Sequence, residues 1–335
     1  MTTHAPNPPQ PAAPSMIRKL SWLVAALLLA LVAYCGGIGW QLSSGLKQMV
    51  TVGGPFTNRT LQTRDPLTLD YDGDPQRAFG WPFETLAIAS ELGPLPAWVV
   101  PPEAGESGAG DTWMVYTHGI GGRREDGYRV TSVARPLGIT TLLYAYRNDA
   151  GAPRSPDGIY SFGLTEWRDL DVAVETARRH GAKHIILAAQ SMGGAIVGQY
   201  LRHAPHTDDV IAAVLDAPAL DLRATLQHYV EAKRLPLGGA VTWVATQITP
   251  WRVGIRLDDT LTLPVFAHQP RFLFDAHGDT DALVPIVISD ELKRLRPDMT
   301  YVRTHARHVE SWSEDPARYR AALRGFLQQV LAAEP

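Results

Sequence analysis

Four short segments of this 335-residue chain carry side chains suited to nucleophilic catalysis. They are HGIGGRR at 118–124, AAQSMGG at 188–194, HGDTDALVP at 277–285 and HARHVESW at 305–312. A serine hydroxyl, a carboxylate and an imidazole together provide a nucleophile, an orienting acid and a general base for reactions of acyl groups. No segment is decisive alone, but their occurrence in the order Ser, Asp, His predicts this chemistry.

Ser191 is the predicted nucleophile. It follows the apolar run HIILAAQ and has small neighbours, Ala189 before it and Gly193 and Gly194 after it. This is the G-x-S-x-G nucleophile elbow with alanine in place of the first glycine, a tight strand-to-helix bend that exposes the hydroxyl. The alternative is a glycine-rich helix start in which the serine only caps the helix.

The acid is predicted to be Asp281. It lies in the loop after the apolar run RFLFDA, three residues before Val284, where a carboxylate can orient a histidine and stabilise its protonated form. Asp279 in the same loop is the main alternative, although we expect it to brace the turn through backbone amides. Asp216, at the end of the run VIAAVLD, is a weaker alternative.

The general base is predicted to be His308, with His305 as the alternative. His305 ends an apolar run, whereas His308 lies three residues later in a loop and is better placed to reach Ser191. A histidine of either kind is more often a surface residue than a catalyst. The prediction therefore depends on the other three segments as well.

A tetrahedral intermediate also needs N–H donors for its oxyanion. The predicted donors are two backbone amides, that of Ile120 in the glycine-rich loop and that of Met192 at the start of a helix. The simpler alternative is that residues 119–122 form an ordinary loop between a strand and a helix.

The elements that must position these segments alternate between strand and helix. After an opening hairpin (FETLAIAS and AWVVP), strands are predicted at 112–117, 139–146, 184–190, 210–218, 271–278 and 300–305. Helices are predicted at 126–136, 165–181, 192–203, 285–296 and 316–332. This alternation predicts an α/β fold with a mostly parallel central sheet and helices on both faces. Chemistry in such sheets collects beyond the carboxyl ends of the strands, where all four segments fall.

Residues 20–40, LSWLVAALLLALVAYCGGIGW, are predicted to form a transmembrane helix. No charged residue occurs from Leu20 to Leu46, and a helix of this length spans about 31 Å, close to a bilayer core. Arg18 and Lys19 precede the segment, which predicts that residues 1–19 are a disordered cytoplasmic tail and that the rest is extracytoplasmic. We expect an uncleaved signal anchor, with a cleaved signal sequence as the alternative.

The rest of the chain is predicted to be a linker over 41–80 and one domain over 81–335. An insertion at 219–270 carries large apolar residues, among them Leu226, Tyr229 and Trp243. We expect this insertion to form a helical cap over Ser191 that shapes an apolar acyl pocket. The alternative is that its apolar residues only pack the cap onto the main domain.

Composition and net charge argue against several classes of function. A net charge of −3 without long runs of like charge gives no electrostatic basis for binding nucleic acid. The single cysteine, Cys35, excludes an intramolecular disulfide and a cysteine-based metal cluster, and the 11 histidines show no metal-site spacing. We therefore expect neither a cofactor nor a metal.

The segments YTHGIGG, LLYAYRND, AAQSMGG, HGDTDALVP and ARHVESW resemble those of the α/β-hydrolase family, and the likeness runs over 83–331. Within that family the chain looks most like membrane-anchored serine hydrolases of the lysophospholipase-like type. The resemblance implies the α/β-hydrolase fold and a set of site residues: Ser191 as nucleophile, Asp281 as acid, His308 as base, and the amides of Ile120 and Met192 as oxyanion donors. Ala189, in place of the usual glycine, departs from the family pattern.

The favoured hypothesis is a membrane-anchored hydrolase of lipid-like or other hydrophobic carboxylic esters that acts through an acyl-enzyme. A serine peptidase, a thioesterase or an acyltransferase would use the same residues. A catalytically silent, membrane-tethered binding protein is the non-enzymatic alternative, because a fold does not fix a function. The expected partners are a small-molecule or lipid ester and the membrane lipid around the N-terminal helix, with no nucleic acid.

Overall fold

Eight strands form one sheet in the computed structural model, which describes residues 16–57, 63–104 and 110–333. The strands are β1 (Glu84–Ser90), β2 (Gly93–Val100), β3 (Thr112–Thr117), β4 (Thr140–Tyr144), β5 (His184–Gln190), β6 (Val210–Asp216), β7 (Phe272–Gly278) and β8 (Thr300–Thr304). Their order across the sheet is β1-β2-β4-β3-β5-β6-β7-β8. The β1–β2 and β2–β4 pairs are antiparallel, and all later pairs are parallel. The predicted mostly parallel sheet with an antiparallel edge is confirmed.

Helices connect the strands and cover the sheet. They are α1 (Met16–Val50), α2 (Pro75–Phe79), α3 (Tyr128–Ala134), α4 (Trp167–Arg179), α5 (Met192–His203), α6 (Leu222–Ala232), α7 (Gly238–Val253), α8 (Leu263–Phe266), α9 (Val287–Leu295), α10 (Ser311–Glu314) and α11 (Pro316–Ala333). The helices predicted between the strands are present, with small shifts at their ends.

The strands β3 to β7 in the centre of the sheet are buried on both faces at nearly every position. In β3, Trp113 and Val115 join the apolar cluster that includes α4 and α5. The alternate residues Met114 and Tyr116 join a second cluster, with α3 and α11. Side chains of a strand alternate between faces, so a strand covered on both sides must be apolar throughout.

Helix α1 is longer than the sequence analysis predicted. Residues 41–50, expected to begin a linker, continue the helix without a break to Val50. The reason is a buried stripe at helical spacing, formed by Cys35, Gly39, Ser43, Leu46 and Val50. The segment before this stripe is largely exposed, and among the described residues α1 is the one helix long and apolar enough to cross a membrane. Of the tail predicted over 1–19, residues 1–15 lie outside the described residues, and residues 16–19 form the first turn of α1 instead of a disordered segment.

The insertion at 219–270 is helical, as predicted, and contains α6, α7 and α8. Asp221 caps α6 by accepting the backbone N–H of Ala224 over 2.9 Å. Helix α7 packs along the second half of α1, where a Cβ added to Gly39 would lie 2.8 Å from Val244. The insertion therefore contacts the predicted anchor helix directly.

Candidate active site

Ser191 lies at a strained bend between β5 and α5. Its backbone has φ 51° and ψ −122°, a conformation that costs free energy for any residue with a side chain. The bend is held because the Ser191 N–H donates to the carbonyl of Asp216 over 2.9 Å and the Ser191 carbonyl accepts from Ala219 over 3.0 Å. The Ser191 hydroxyl makes no helix-capping hydrogen bond, so the simple capping alternative does not describe this residue.

The small residues around Ser191 have a steric cause. A Cβ on Gly193 would collide with the carbonyl oxygen of Thr117, at the end of the neighbouring strand β3. A Cβ on Gly119 would lie 2.9 Å from the Cβ of Ser191. Ala189, which replaces the expected glycine, is 3% exposed, and its methyl group fits within the core. The predicted elbow geometry therefore tolerates alanine at this position.

The structure brings Ser191, His308 and Asp281 into one hydrogen-bonded chain. The Ser191 hydroxyl lies 2.8 Å from Nε2 of His308, and Nδ1 of His308 lies 2.6 Å from Oδ2 of Asp281. The His308 side chain is 19% exposed, whereas that of Asp281 is fully buried. Val309, directly after the histidine, has a φ of 53°, which is rare for a β-branched residue and marks a tightly constrained loop.

The Asp281 carboxylate accepts four hydrogen bonds. Oδ2 faces His308 and also Nε2 of His277, at 3.2 Å, while Oδ1 accepts the backbone N–H groups of Leu283 and Val284 over 2.8 and 2.9 Å. Burial alone would raise the pKa of Asp281, but the hydrogen bonds from the two histidines outweigh it and hold the pKa below its usual value. Asp281 is therefore an anion fixed in position. His277 was not singled out from the sequence, although it opens the quoted segment HGDTDALVP.

Asp279 and Asp216, the alternatives to Asp281, have other hydrogen-bond partners. Asp279 pairs with Nδ1 of His305 at 2.7 Å on an exposed part of the surface, in place of the expected contacts with backbone amides. Asp216 is buried and accepts the hydroxyl of Tyr319 over 3.2 Å. Within the described part of the chain, neither carboxylate is hydrogen-bonded to His308.

The two predicted oxyanion donors flank Ser191. Met192 is the first residue of α5, where a backbone N–H has no acceptor within its own helix. Ile120 follows Gly119, the residue that approaches the Ser191 side chain closely. A turn closed by the Gly122 N–H on the Gly119 carbonyl, at 3.0 Å, shapes this loop.

A second histidine–aspartate pair, which the sequence analysis missed, lies under the same loop. Nε2 of His118 is 2.8 Å from Oδ2 of Asp149, and Nδ1 of His118 is 2.9 Å from the Gly119 carbonyl. Asp149 also accepts the Tyr146 N–H and the Tyr160 hydroxyl. Burial opposes protonation of His118, but Asp149 outweighs it and raises the histidine pKa. Both residues stand in quoted segments, HGIGGRR and LLYAYRND, but nothing in the sequence pairs them.

The YRN segment after β4 has a structural role. Arg147 forms a buried two-pronged ion pair with Asp169 and reaches Glu91. Asn148 donates from its side chain to the carbonyl of Ile159 over 2.8 Å. These contacts connect the loop after β4 to α4 and to the edge of the sheet.

Two cavities of different character border the site. A polar cavity of about 400 Å³ is lined by His118, Gly122, Arg123, Asn148, Asp149 and Tyr160, among others. An apolar cavity of about 480 Å³ lies between α1 and α6. Among the described residues, no group of three or more His, Cys, Asp or Glu side chains is arranged to hold a metal ion.

Comparisons with known proteins agree with this architecture. A family model described as "Serine aminopeptidase, S33" matches residues 165–331. The esterase Pf2001 of Pyrococcus furiosus aligns with a TM-score of 0.59 and 18% identity, covering 82% of this chain and 100% of that one. XC6422 of Xanthomonas campestris, an α/β serine hydrolase without a lid, aligns with a TM-score of 0.53 and 19% identity, covering 76% and 97%.

A third similar structure is Est1E of Butyrivibrio proteoclasticus, determined with ferulic acid bound. It aligns with a TM-score of 0.54 and 17% identity, covering 74% of this chain and 99% of that one. No curated protein matches the chain. At these identities the likenesses establish the fold, and they confirm the fold class predicted from the sequence.

Proposed function

We propose that this chain, which has the α/β-hydrolase fold, is a membrane-anchored serine hydrolase that cleaves hydrophobic carboxylic esters through an acyl-enzyme. The observation that carries the proposal is the hydrogen-bonded chain from Ser191 through His308 to Asp281, with distances of 2.8 and 2.6 Å. A hydroxyl, an imidazole and a buried carboxylate in this order form the arrangement that activates a serine for attack on an acyl carbon.

The geometry assigns a role to each group in acylation. Ser191 Oγ attacks the carbonyl carbon of the ester while its proton passes to Nε2 of His308. Asp281 stays ionised because of its lowered pKa, and it stabilises the imidazolium and fixes the ring orientation. The amides of Ile120 and Met192 donate to the oxyanion of the tetrahedral intermediate. The intermediate then collapses as the ester C–O bond breaks, and the alcohol leaves with the proton from His308.

Deacylation uses the same groups in reverse. A water molecule gives a proton to His308 and attacks the acyl carbon on Ser191, forming a second tetrahedral intermediate. This collapses to a carboxylic acid, and the proton on His308 returns to the Ser191 oxygen. Thioester hydrolysis, or acyl transfer to another alcohol, would require only a different leaving or accepting group.

The membrane anchor is supported by the two halves of α1. Its first half exposes large apolar side chains, among them Leu27 at 61% and Leu29 at 70%. A core helix of a soluble protein would bury such residues. Its second half ends at Val50, which is fully buried in the core of the domain, so the helix is an integral part of the fold. These features favour a retained anchor over a removed signal sequence, with Arg18 and Lys19 on the cytoplasmic side.

Peptide hydrolysis is a second candidate because the matching family model is described as a serine aminopeptidase. The apolar cavity between α1 and α6 favours an acyl chain over a charged amino terminus, since burying an unpaired ammonium group is costly. For this reason ester hydrolysis is the preferred assignment.

A fluorophosphonate probe tests the proposed nucleophile, and two chromogenic substrates test the bond that is cleaved. We expect the probe to label the full-length wild-type protein and the exposed-serine control Ser313→Ala equally, and to leave Ser191→Ala unlabelled. We also expect the wild type to hydrolyse p-nitrophenyl butyrate faster than leucine p-nitroanilide. Equal labelling of all three proteins would overturn the assignment of Ser191, and faster cleavage of the anilide would favour the peptidase.

A further inference from the structure

We propose that α1 forms one wall of the pocket that receives the acyl chain of the ester, so that the membrane anchor is also a determinant of substrate specificity. This inference rests on the function proposed above. It assigns to the anchor helix a role that tethering alone does not require.

The lining of the cavity between α1 and α6 is mostly apolar, and its polar side chains are those of Gln41, Thr225, Tyr229 and Lys233. From α1 it is lined by Ile38, Leu42, Leu46 and Met49, and the cap contributes Leu222 and Leu226 to the opposite side. Its volume of about 480 Å³ falls within the usual range for ligand pockets, about 300 to 1,000 Å³. An alkyl chain gains free energy on leaving water for such surroundings.

Two loops of the candidate active site border this cavity. Ala282 and Leu283, which line it, directly follow the acid Asp281. Phe56 also lines it, and the Phe56 carbonyl is packed so tightly against Gly121 that a Cβ on that glycine would collide with it. Gly121 lies in the loop at 118–122, here named the oxyanion loop because it carries the proposed donor Ile120. The cavity is therefore adjacent to both the acid loop and the oxyanion loop.

The α1 wall is fixed in place by the cap. Tyr34 donates its hydroxyl to the Pro236 carbonyl over 3.0 Å. The Arg252 guanidinium lies 3.4 Å above the ring of Trp40 and donates to the Ser44 hydroxyl over 2.9 Å. These contacts lie before and after the tightly packed Gly39, and they attach α1 firmly to the cap.

The order of the exposed turns and the cavity-lining turns along α1 indicates what occupies the cavity. The turns that expose Leu27 and Leu28 precede the cavity-lining turns of the same helix. Trp40 and Trp251 are 47% and 68% exposed and contact each other where α1 meets the cap, and tryptophans of this kind favour the membrane–water interface. A cavity placed just beyond that interface would receive an acyl chain directly from the lipid.

Gly45 offers a direct way to fill the cavity. It lines the cavity from α1, and a Cβ added to it meets no atom within 4 Å. Phenylalanine is also a better helix residue than glycine, so Gly45→Phe adds volume to the cavity without a backbone clash. Gly37 on the same helix also has open space around it but does not line the cavity, which makes Gly37→Phe a matched control.

The experiment compares kcat/KM for p-nitrophenyl decanoate and p-nitrophenyl acetate with full-length proteins in the same detergent. Their ratio reports chain-length selectivity and cancels differences in the amount of active protein. We expect Gly45→Phe to lower the decanoate-to-acetate ratio by about tenfold or more, because a few methylene groups lose their apolar site. Gly37→Phe should keep the wild-type ratio. If the phenylalanine variant does not fold, Gly45→Leu carries the same prediction.

The outcomes distinguish a failure of this inference from a failure of the proposed function. A wild type that cleaves neither ester overturns the proposed function and the inference together. A wild type that cleaves both esters, with Gly45→Phe or Gly45→Leu at the wild-type ratio, overturns the inference alone. The inference also fails if Gly37→Phe lowers the ratio as much as the Gly45 variant does.

Discussion

The pairs His308–Asp281 and His118–Asp149 have nearly the same nitrogen–oxygen distance, and they have different uses. His308 lies 2.6 Å from Asp281, and His118 lies 2.8 Å from Asp149. Both aspartates are buried, and both receive further hydrogen bonds from the surrounding chain. The difference lies at the second ring nitrogen, where His308 faces the Ser191 hydroxyl and His118 faces a backbone carbonyl.

The partner of the second nitrogen decides what each imidazole does. An ionised Asp149 and the Gly119 carbonyl both only accept hydrogen bonds, so this arrangement holds His118 as a buried cation with a proton on each nitrogen, in agreement with its raised pKa. A hydroxyl can donate, so His308 can remain neutral with a free electron pair directed at the serine proton. The His118–Asp149 pair therefore braces the oxyanion loop, whereas the His308–Asp281 pair is suited to general base catalysis. An aspartate–histidine contact alone does not indicate a catalytic histidine.

The largest expected effect comes from replacing each of the two histidines, His308 and His118, with glutamine. The amide side chain of glutamine cannot act as a general base, so His308→Gln should lower kcat for p-nitrophenyl butyrate by about ten-thousandfold. His118→Gln removes the cation opposite a buried carboxylate, so it should lower the free energy of unfolding by about 3 to 5 kcal/mol. Turnover and urea unfolding, measured on both variants, provide the comparison.

The two variants serve as controls for each other. His308 is partly exposed and its replacement leaves Asp281 with its other donors, so we expect a much smaller change in unfolding for His308→Gln. If folded His118→Gln lost as much turnover as His308→Gln, the distinction between a bracing pair and a reacting pair would be wrong.

The smaller expected effect is in the pH dependence of stability. The pKa of His118 is raised above its ordinary value of about 6.5, because the Asp149 carboxylate outweighs the effect of burial. Its contribution to stability is therefore complete below that value and is lost as the pH rises toward the folded-state pKa. For one proton the slope reaches at most about 1.4 kcal/mol per pH unit.

Urea unfolding of the wild type and His118→Gln across a pH series measures this contribution as a difference between the two proteins. We expect the stability advantage of the wild type to shrink from about pH 6.5 upward. His277 also has a raised pKa, but it is present in both proteins and cancels in the difference. An advantage that stayed constant or grew with rising pH would show that His118 is neutral in the folded protein.

The sequence predicted the parts of the site that depend on local constraints. Ser191 was identified because the bend between β5 and α5 demands small neighbours, and that demand is visible at Gly193. Asp281 and His308 were placed by their positions after β7 and β8, since the carboxyl ends of parallel strands meet at one edge. Local patterns and strand order therefore bring three distant segments together.

The features that the sequence did not predict depend on contacts between segments that are distant in the chain. Asp149 lies 31 positions from His118, in a loop whose path is set by the antiparallel pairing of β4 with β2. The extension of α1 to Val50 follows from packing against the domain, because the polar residues of 41–50 resemble a linker until the buried stripe is known. Tertiary packing overrides local composition at both places.

Trapping of the acyl-enzyme tests the central claim most directly. The full-length protein is mixed with p-nitrophenyl butyrate, quenched in acid within the first turnovers, digested and analysed by mass spectrometry. We predict a butyryl group on the peptide that contains Ser191, and far less of it when His308→Gln protein is used, because the serine then lacks the base that takes its proton during attack. A butyryl group on a different residue, or turnover by Ser191→Ala at the wild-type rate, would contradict the account.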